Sequence, residues 1–150
     1  MPFRNPQPIA VPAGAGKVLE FLGVSSTLSS RQTGGACYFF EGQFEPGSGN
    51  RLHVHRDDDE IAYVLDGALA VRLGDESLEV AAGGIAFLPK GIPHALRNPL
   101  EVPSRYLFAA IPGTSLERWF EAVEAAAGNG SLDDKTYREL ARKHGLEWLE

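Results

Sequence analysis

The segment that decides the fold runs from Gly47 to Gly67 and reads GSGNRLHVHRDDDEIAYVLDG. Within it, His53 and His55 are separated by one residue, so in a β-strand both imidazoles point to the same face. Glu60 follows a short acidic bend and begins an alternating apolar run, EIAYVL, which predicts the next strand. An antiparallel neighbouring strand can therefore bring a carboxylate to the same cavity as two imidazoles.

A third imidazole lies further along the chain, in the segment GGIAFLPKGIPHALRN at residues 83–98. His94 follows a turn rich in proline and glycine, which holds its side chain at the start of a strand. Three imidazoles and one carboxylate form a nitrogen and oxygen ligand set that suits Fe, Mn, Ni, Co, Cu or Zn. Four such ligands around a six-coordinate ion leave two positions open, which is typical of a catalytic site. The residues predicted to bind a divalent transition metal ion are His53, His55, Glu60 and His94.

The sequence around these two segments extends the strand pattern from Lys17 to Ile111. Short alternating runs, among them KVLEFLGV, ACYFFEGQFE and RYLFAAIP, are separated by glycine, proline and aspartate. At least seven short strands of this spacing predict an antiparallel, all-β sandwich or barrel. Asp66-Gly67 is the strongest β-hairpin signal in the chain and predicts a tight turn between EIAYVL and ALAVRL.

The two segments resemble the two motifs of the cupin superfamily. The first motif contains Gly47, His53, His55, Glu60 and Gly67, and the second contains Gly83, Pro89, Gly91, His94 and Asn98, with fifteen residues between them. The resemblance implies a small single-domain cupin, which is a jelly-roll or double-stranded β-helix barrel with the metal inside, usually as a homodimer. It also implies the metal-ligand role for the same four side chains, namely His53, His55, Glu60 and His94.

The hydrophobic period changes after Pro112-Gly113 from that of strands to that of helices. The expected organisation is a proline-rich extended arm at 1–16, the cupin barrel at 17–111, and a helical extension of the same domain at 112–150. Thr114 or Ser115 is expected to cap the first of two C-terminal helices. Both helices are expected to pack on the outside of the barrel without a chemical role, and the expected anchors are Trp119, Phe120 and Trp148.

The charge balance argues against nucleic acid or an anionic membrane as the main partner. The chain carries 14 Lys and Arg against 20 Asp and Glu, a net charge of -6, and contains no basic run. No apolar leader or run of 18 apolar residues occurs, so a cytoplasmic protein with a small-molecule substrate is expected. The single cysteine, Cys37, excludes an intramolecular disulfide and a Cys-based zinc finger.

Three consecutive aspartates, Asp57, Asp58 and Asp59, could gather a second cation, but a solvated acidic loop is the preferred interpretation. Aromatic residues recur on single strand faces, as at Phe40 and Phe44. Core packing explains most of them, although an aromatic-lined cavity would also require such residues.

The end of the barrel, LFAAIPGTSLERWFEAV, and the tail ARKHGLEWL are similar to small bacterial cupins described as quercetin-dioxygenase-like. This resemblance implies a dioxygenase in which substrate oxygens bind the metal and a glutamate accepts the hydroxyl proton, after which the enolate reacts with dioxygen. Glu60 would then be both ligand and catalytic base.

Two alternatives remain open at the same metal site. One is a non-oxidative isomerase, cyclase or decarboxylase, and the other is a cupin that binds a metal or small metabolite without turnover. The cavity wall discriminates among ligands, because an apolar aromatic wall suits a small aromatic or enolisable substrate. Several inward-facing Arg, Lys or Gln side chains would instead suit a sugar or polyol.

Overall fold

The computed structural model describes residues 5–150, which form two antiparallel sheets and two helices, and the last short strand of the chain belongs to the second sheet. The strands are β1 (Lys17–Leu19), β2 (Val24–Leu28), β3 (Tyr38–Phe44), β4 (His53–His55), β5 (Asp59–Asp66), β6 (Ala68–Leu73), β7 (Glu76–Ala81), β8 (Ile85–Leu88), β9 (His94–Arg97), β10 (Ser104–Ile111) and β11 (Leu146–Trp148). The helices are α1 (Thr114–Gly128) and α2 (Asp134–Lys143). The predicted all-β fold with two C-terminal helices is confirmed.

The two sheets pack around one apolar core. The six-stranded sheet has the order β1-β2-β3-β10-β5-β8, and the five-stranded sheet has the order β11-β4-β9-β6-β7. Alternate residues point inwards, so Phe40 and Phe108 of the first sheet join Leu69 and Leu96 of the second in the buried core. The sheets are not hydrogen-bonded into a closed barrel, and the arrangement is that of a jelly roll.

The predicted hairpin at Asp66-Gly67 is wrong, because β5 and β6 belong to different sheets. The two residues form the corner at which the chain leaves the six-stranded sheet and enters the five-stranded one. Gly67 has a φ of 80°, and a Cβ atom there would collide with Ser104. The Asp-Gly signal therefore predicts the chain reversal, but it does not specify which sheet the next strand joins.

The acidic bend between β4 and β5 is attached to helix α1. Asp58, which was expected in a solvated loop, is only 1% exposed. Its carboxylate accepts hydrogen bonds from the backbone N–H groups of Gly113, at 2.8 Å, and Leu116, at 2.9 Å. Asp58 thus caps α1 from a distant part of the chain, and neither Thr114 nor Ser115 provides the predicted side-chain cap.

Replacing Asp58 with alanine should lower the free energy of unfolding by about 1–3 kcal/mol, because two buried N–H groups lose their acceptor. Urea unfolding followed by tryptophan fluorescence measures this loss. Asp75→Ala is the matched control, since Asp75 is exposed and has no hydrogen-bond partner among residues 5–150. Equal unfolding midpoints for the two variants would contradict the capping role.

The C-terminal extension ends in a strand that the sequence analysis did not predict. Strand β11 pairs antiparallel with β4, so that Leu146 lies opposite His55 and Trp148 lies opposite His53. The preceding helix α2 is capped by Asp133, whose carboxylate accepts a hydrogen bond from the N–H of Thr136 at 2.7 Å. The extension therefore packs directly beside the strand that carries two of the predicted ligands.

Residues 5–16 contain no helix or strand, and the first four residues of the predicted arm lie outside the described part of the chain. The domain boundaries at 1–16, 17–111 and 112–150 stay a prediction. None of the helices within residues 5–150 is both long and apolar enough to cross a membrane.

We expect the chain to form a homodimer in which the arm at 1–16 helps to cover the partner's barrel. The outer face of the six-stranded sheet exposes Tyr63, Ile85 and Phe87 on the neighbouring strands β5 and β8, and a second copy would bury this apolar patch. Deletion of residues 1–10 should lower both the dimer fraction, measured by light scattering, and the melting temperature. An unchanged mass and melting temperature would show that the arm is not part of the interface.

Candidate metal centre

Both sheets contribute to a cluster of four buried polar side chains. His53 and His55 lie on β4, and His94 lies on β9, where its Cα is paired with that of His53. Glu60 comes from β5 in the opposite sheet, and not from an antiparallel neighbour of the histidine strand as the sequence analysis expected. Each of the four residues is 5% exposed or less. Their ligand atoms lie within 4.8 Å of one another, so they could hold a single metal ion.

Several atoms of the cluster have no hydrogen-bond partner. The Oε2 atom of Glu60 lies 3.0 Å from Nε2 of His94 and 3.5 Å from Nε2 of His55. Within residues 5–150, this Oε2 atom and both ring nitrogens of His94 accept or donate no hydrogen bond. Buried polar atoms are almost always paired, so their convergence fits a site that binds a cation.

The ring of His53 is held in a definite orientation by the backbone. Its Nδ1 atom lies 2.6 Å from the carbonyl oxygen of Arg51 and donates a hydrogen bond to it. The lone pair is thereby left on Nε2, which is the nitrogen available to a metal ion. Such a bond from the second ring nitrogen is the usual way in which a protein orients a histidine ligand.

Burial and mutual contacts set the protonation states that metal binding requires. Burial lowers the pKa of His53 to about 3 and also lowers the pKa of His55, so both imidazoles are neutral at pH 7. Burial alone would raise the pKa of Glu60, but its contacts with His55 and His94 lower that pKa to about 2. A neutral imidazole and an ionised carboxylate are the forms that bind a divalent ion.

A cavity of about 220 Å³ lies against His53, His55 and Glu60. None of the described residues that line this cavity is a lysine or an arginine. Twelve of the seventeen lining residues are apolar or aromatic: the aliphatic ones are Leu22, Val24, Leu116 and Leu146, and the aromatic ones are Phe40, Phe44, Tyr106, Phe108, Trp119, Phe120, Tyr137 and Trp148. A wall of this composition suits a planar apolar molecule that presents polar atoms to the cluster.

The C-terminal extension forms part of this wall, so the prediction that it packs only on the outside of the fold is wrong. Trp119 and Phe120 of α1 line the cavity, and the ring of Trp148 on β11 lies 4.9 Å from the ring of His53. The apolar periodicity of a helix shows that one face is buried, but it does not show what that face covers. Tyr137 of α2 also lines the cavity and was missed, because a single aromatic residue in a charged helix carries no recognisable signal.

Comparison with known proteins identifies the family. Residues 40–110 match the Cupin domain family. The crystal structure of TT1209 from Thermus thermophilus is 31% identical and superimposes with a TM-score of 0.53, over 58% of this chain and 79% of that chain. The chain therefore belongs to the cupin superfamily.

Two curated relatives share part of the sequence. The uncharacterized protein MJ1618 of Methanocaldococcus jannaschii is 35% identical over 71 residues, which are 47% of this chain and 57% of that protein. The tetracenomycin polyketide synthase protein TcmJ of Streptomyces glaucescens is 29% identical over 92 residues, which are 60% of this chain and 62% of that protein. The chain thus spans about six-tenths of the length of these relatives. The resemblance to quercetin dioxygenases stays a prediction.

The metal-ligand roles can be tested by measuring bound metal. His53→Ala and His94→Ala should each lose most of the metal that the purified parent protein retains, because only three ligands remain around the ion. Elemental analysis after loading with Co²⁺ or Mn²⁺ and desalting gives the stoichiometry. The matched control is His144→Ala, since His144 lies at the end of α2 outside the cluster. Parent-level metal in the His53 and His94 variants would exclude the proposed ligand set.

Trp119→Ala tests how the extension contributes to the site. The indole is only 4% exposed, so its removal should lower the free energy of unfolding by about 3 kcal/mol. Metal content should remain that of the parent, because Trp119 is not one of the four candidate ligands. Thermal unfolding and elemental analysis of the same preparation separate these effects, and Trp119→Phe should recover most of the stability. Loss of metal from a folded Trp119→Ala protein would show that α1 is needed to hold the ligands in place.

Proposed function

We propose that this cupin is a metal-dependent dioxygenase that acts on a small, aromatic, enolisable substrate. The observation that carries the proposal is the aromatic wall directly beside His53, His55 and Glu60. No lysine or arginine is among the described residues of that wall, so the wall offers no positively charged side chain to a sugar acid or a phosphate. An aromatic ring would instead bury its faces against the wall.

The geometry suits a substrate with a hydroxyl group next to a ketone. The rings of Phe40 and Phe108 are nearly parallel, with centroids 5.2 Å apart, and Phe120 meets Phe40 edge-on at 5.0 Å. Such a wall orients a planar ring and excludes water, while the two substrate oxygens face the His and Glu cluster. A divalent transition metal bound there would act as a Lewis acid and as a template for these two oxygens.

Glu60 is the residue that would accept the hydroxyl proton. Its carboxylate is ionised at pH 7, and its Oε2 atom has no hydrogen-bond partner among residues 5–150. The substrate hydroxyl is itself a weak acid, and a divalent ion held by the four residues would make it more acidic and so ease the proton transfer to Glu60. The resulting enolate is electron-rich at carbon and reacts there with dioxygen. Both oxygen atoms enter the substrate, and the reaction therefore needs no external reductant.

The similarity to TcmJ supports a second candidate, a non-oxidative cyclase or isomerase. That protein is described as a polyketide synthase protein, and polyketide chains are enolisable at many positions. Proton removal by Glu60 would begin either reaction, and the enolate would then attack a carbonyl carbon instead of dioxygen. The two candidates differ in whether dioxygen is consumed.

Glu60→Gln separates catalysis from metal binding. The amide keeps the shape of the side chain but cannot accept the proton, so turnover should fall at least about 10²-fold. The variant should still hold much of its metal when the metal is supplied in excess, because three imidazoles and the weaker amide oxygen of the glutamine remain as ligands. Oxygen uptake with flavonols and β-diketones, combined with ¹⁸O₂ labelling of the product, measures turnover. Glu79→Gln, an exposed change on β7, is the matched control.

Each outcome of this experiment has a defined meaning. A metal-loaded Glu60→Gln protein that turns over at the parent rate would show that Glu60 is not the base. Conversion of substrate by the parent protein under nitrogen, without oxygen uptake in air, would favour the cyclase or isomerase. Metal-loaded parent protein that binds these compounds but converts none of them would favour a binding function.

A further inference from the structure

A second, larger cavity lies next to the metal cavity and shares part of its lining. This space, called here the outer groove, has a volume of about 620 Å³. It shares four lining residues with the inner cavity, and they are Gly49, Asn50, Tyr137 and Trp148. The segment 49–51 before β4 forms one wall, while the end of α1 together with α2 and β11 forms the other. The shared residues place the outer groove directly beside the cavity at the His and Glu cluster.

The volumes of the two spaces indicate that a substrate too large for the inner cavity would occupy both of them. The inner cavity of about 220 Å³ is smaller than the roughly 300 Å³ at which pockets for ordinary small ligands begin. It accommodates one or two fused rings, and further atoms must lie in the outer groove. Tyr137 and Trp148 stand at the boundary with their rings stacked, at a centroid distance of 5.6 Å and an angle of 18°. Their faces continue the aromatic wall outwards.

Two aspartates and two arginines line the outer groove, and Arg51 is the one of these four whose side chain has no hydrogen-bond or ion-pair partner among residues 5–150. Asp133 caps α2 by accepting a hydrogen bond from Thr136, and Asp134 accepts one from Nε of Arg138 at 3.0 Å. The side chain of Arg51 is exposed and has no hydrogen-bond or ion-pair partner among residues 5–150. Its charge also acts on the Tyr137 phenol, where it opposes the rise in pKa that burial causes. Arg51 thus presents an unpaired guanidinium group to the outer groove.

We propose that the outer groove binds the distal part of the substrate and that Arg51 recognises a carboxylate on that part. The proposal rests on the proposed function, because the enolisable head of the same molecule occupies the inner cavity. A guanidinium group matches a carboxylate through two parallel hydrogen bonds, which makes arginine well suited to this contact. The substrate class is therefore an aromatic hydroxyketone that carries an acidic group on a second ring.

A series of three probes tests the assignment. The probes are 3-hydroxychromone, which has only the fused head; 3-hydroxyflavone, which adds a phenyl ring; and 3-hydroxyflavone-4′-carboxylic acid. Zinc-loaded protein avoids redox turnover, and calorimetric titration gives the three dissociation constants. The carboxylate should tighten binding about tenfold relative to 3-hydroxyflavone, as expected for a hydrogen bond to a charged group.

Two arginine variants show whether Arg51 is responsible. Arg51→Gln should abolish the preference for the carboxylate, while the backbone carbonyl that holds His53 is retained. Arg105→Gln makes the same change of charge on β10, outside both cavities, and should keep the preference. Equal affinity of the two flavones for the parent protein, or a preference that persists in Arg51→Gln, would overturn the inference but leave the proposed function intact.

A third variant tests the groove itself. Ala127 is half-buried on α1 and lines only the outer space, so Ala127→Phe should weaken binding of both flavones and leave that of 3-hydroxychromone unchanged. Equal weakening of all three probes would show that the two spaces do not act as separate subsites. If the zinc-loaded parent binds none of the three, the proposed function fails, and the inference that rests on it fails as well.

Discussion

The burial of three imidazoles and one carboxylate between two sheets is the constraint on which the rest of this structure depends. His53, His55, Glu60 and His94 are almost inaccessible to water, and several of their polar atoms have no partner in the described chain. Such an arrangement is unfavourable in a bare protein, because each desolvated group has lost its hydrogen bonds with water. A bound cation would offset this loss, because the same polar atoms would coordinate it. The surrounding strands must therefore hold the four side chains close together against their tendency to regain water.

The C-terminal extension supplies much of that restraint. Strand β4 is short and has a single paired position with β9, but β11 pairs with all three of its residues. In the acidic bend between His55 and Glu60, the carboxylate of Asp58 accepts two backbone hydrogen bonds from the start of α1. The segments that carry the candidate ligands are thus held by elements that follow the cupin motifs by 16 residues or more in the sequence.

The same extension determines the chemical character of the cavity. The strands contribute Phe40, Tyr106 and Phe108, and the extension closes the space with Trp119 and Trp148. The resulting wall is aromatic next to the cluster, and Arg51, whose side chain has no partner among residues 5–150, lines the neighbouring outer groove. The apolar and the charged parts of the lining thus lie in two adjacent spaces.

The sequence alone predicted the strand pattern between Lys17 and Ile111, the two helices and the identity of the four clustered residues. These features depend on local patterns, such as the one-residue spacing of His53 and His55 and the change of period after Pro112. Only the tertiary structure decided that Glu60 faces the histidines from the opposite sheet, that Asp66-Gly67 is a corner, and that Asp58 caps α1. It also decided that β11 joins β4 and that Trp148 packs on His53. The physical reason is that period and turn propensity are encoded by neighbouring residues, whereas sheet membership and cavity walls arise from pairing between residues far apart in the chain.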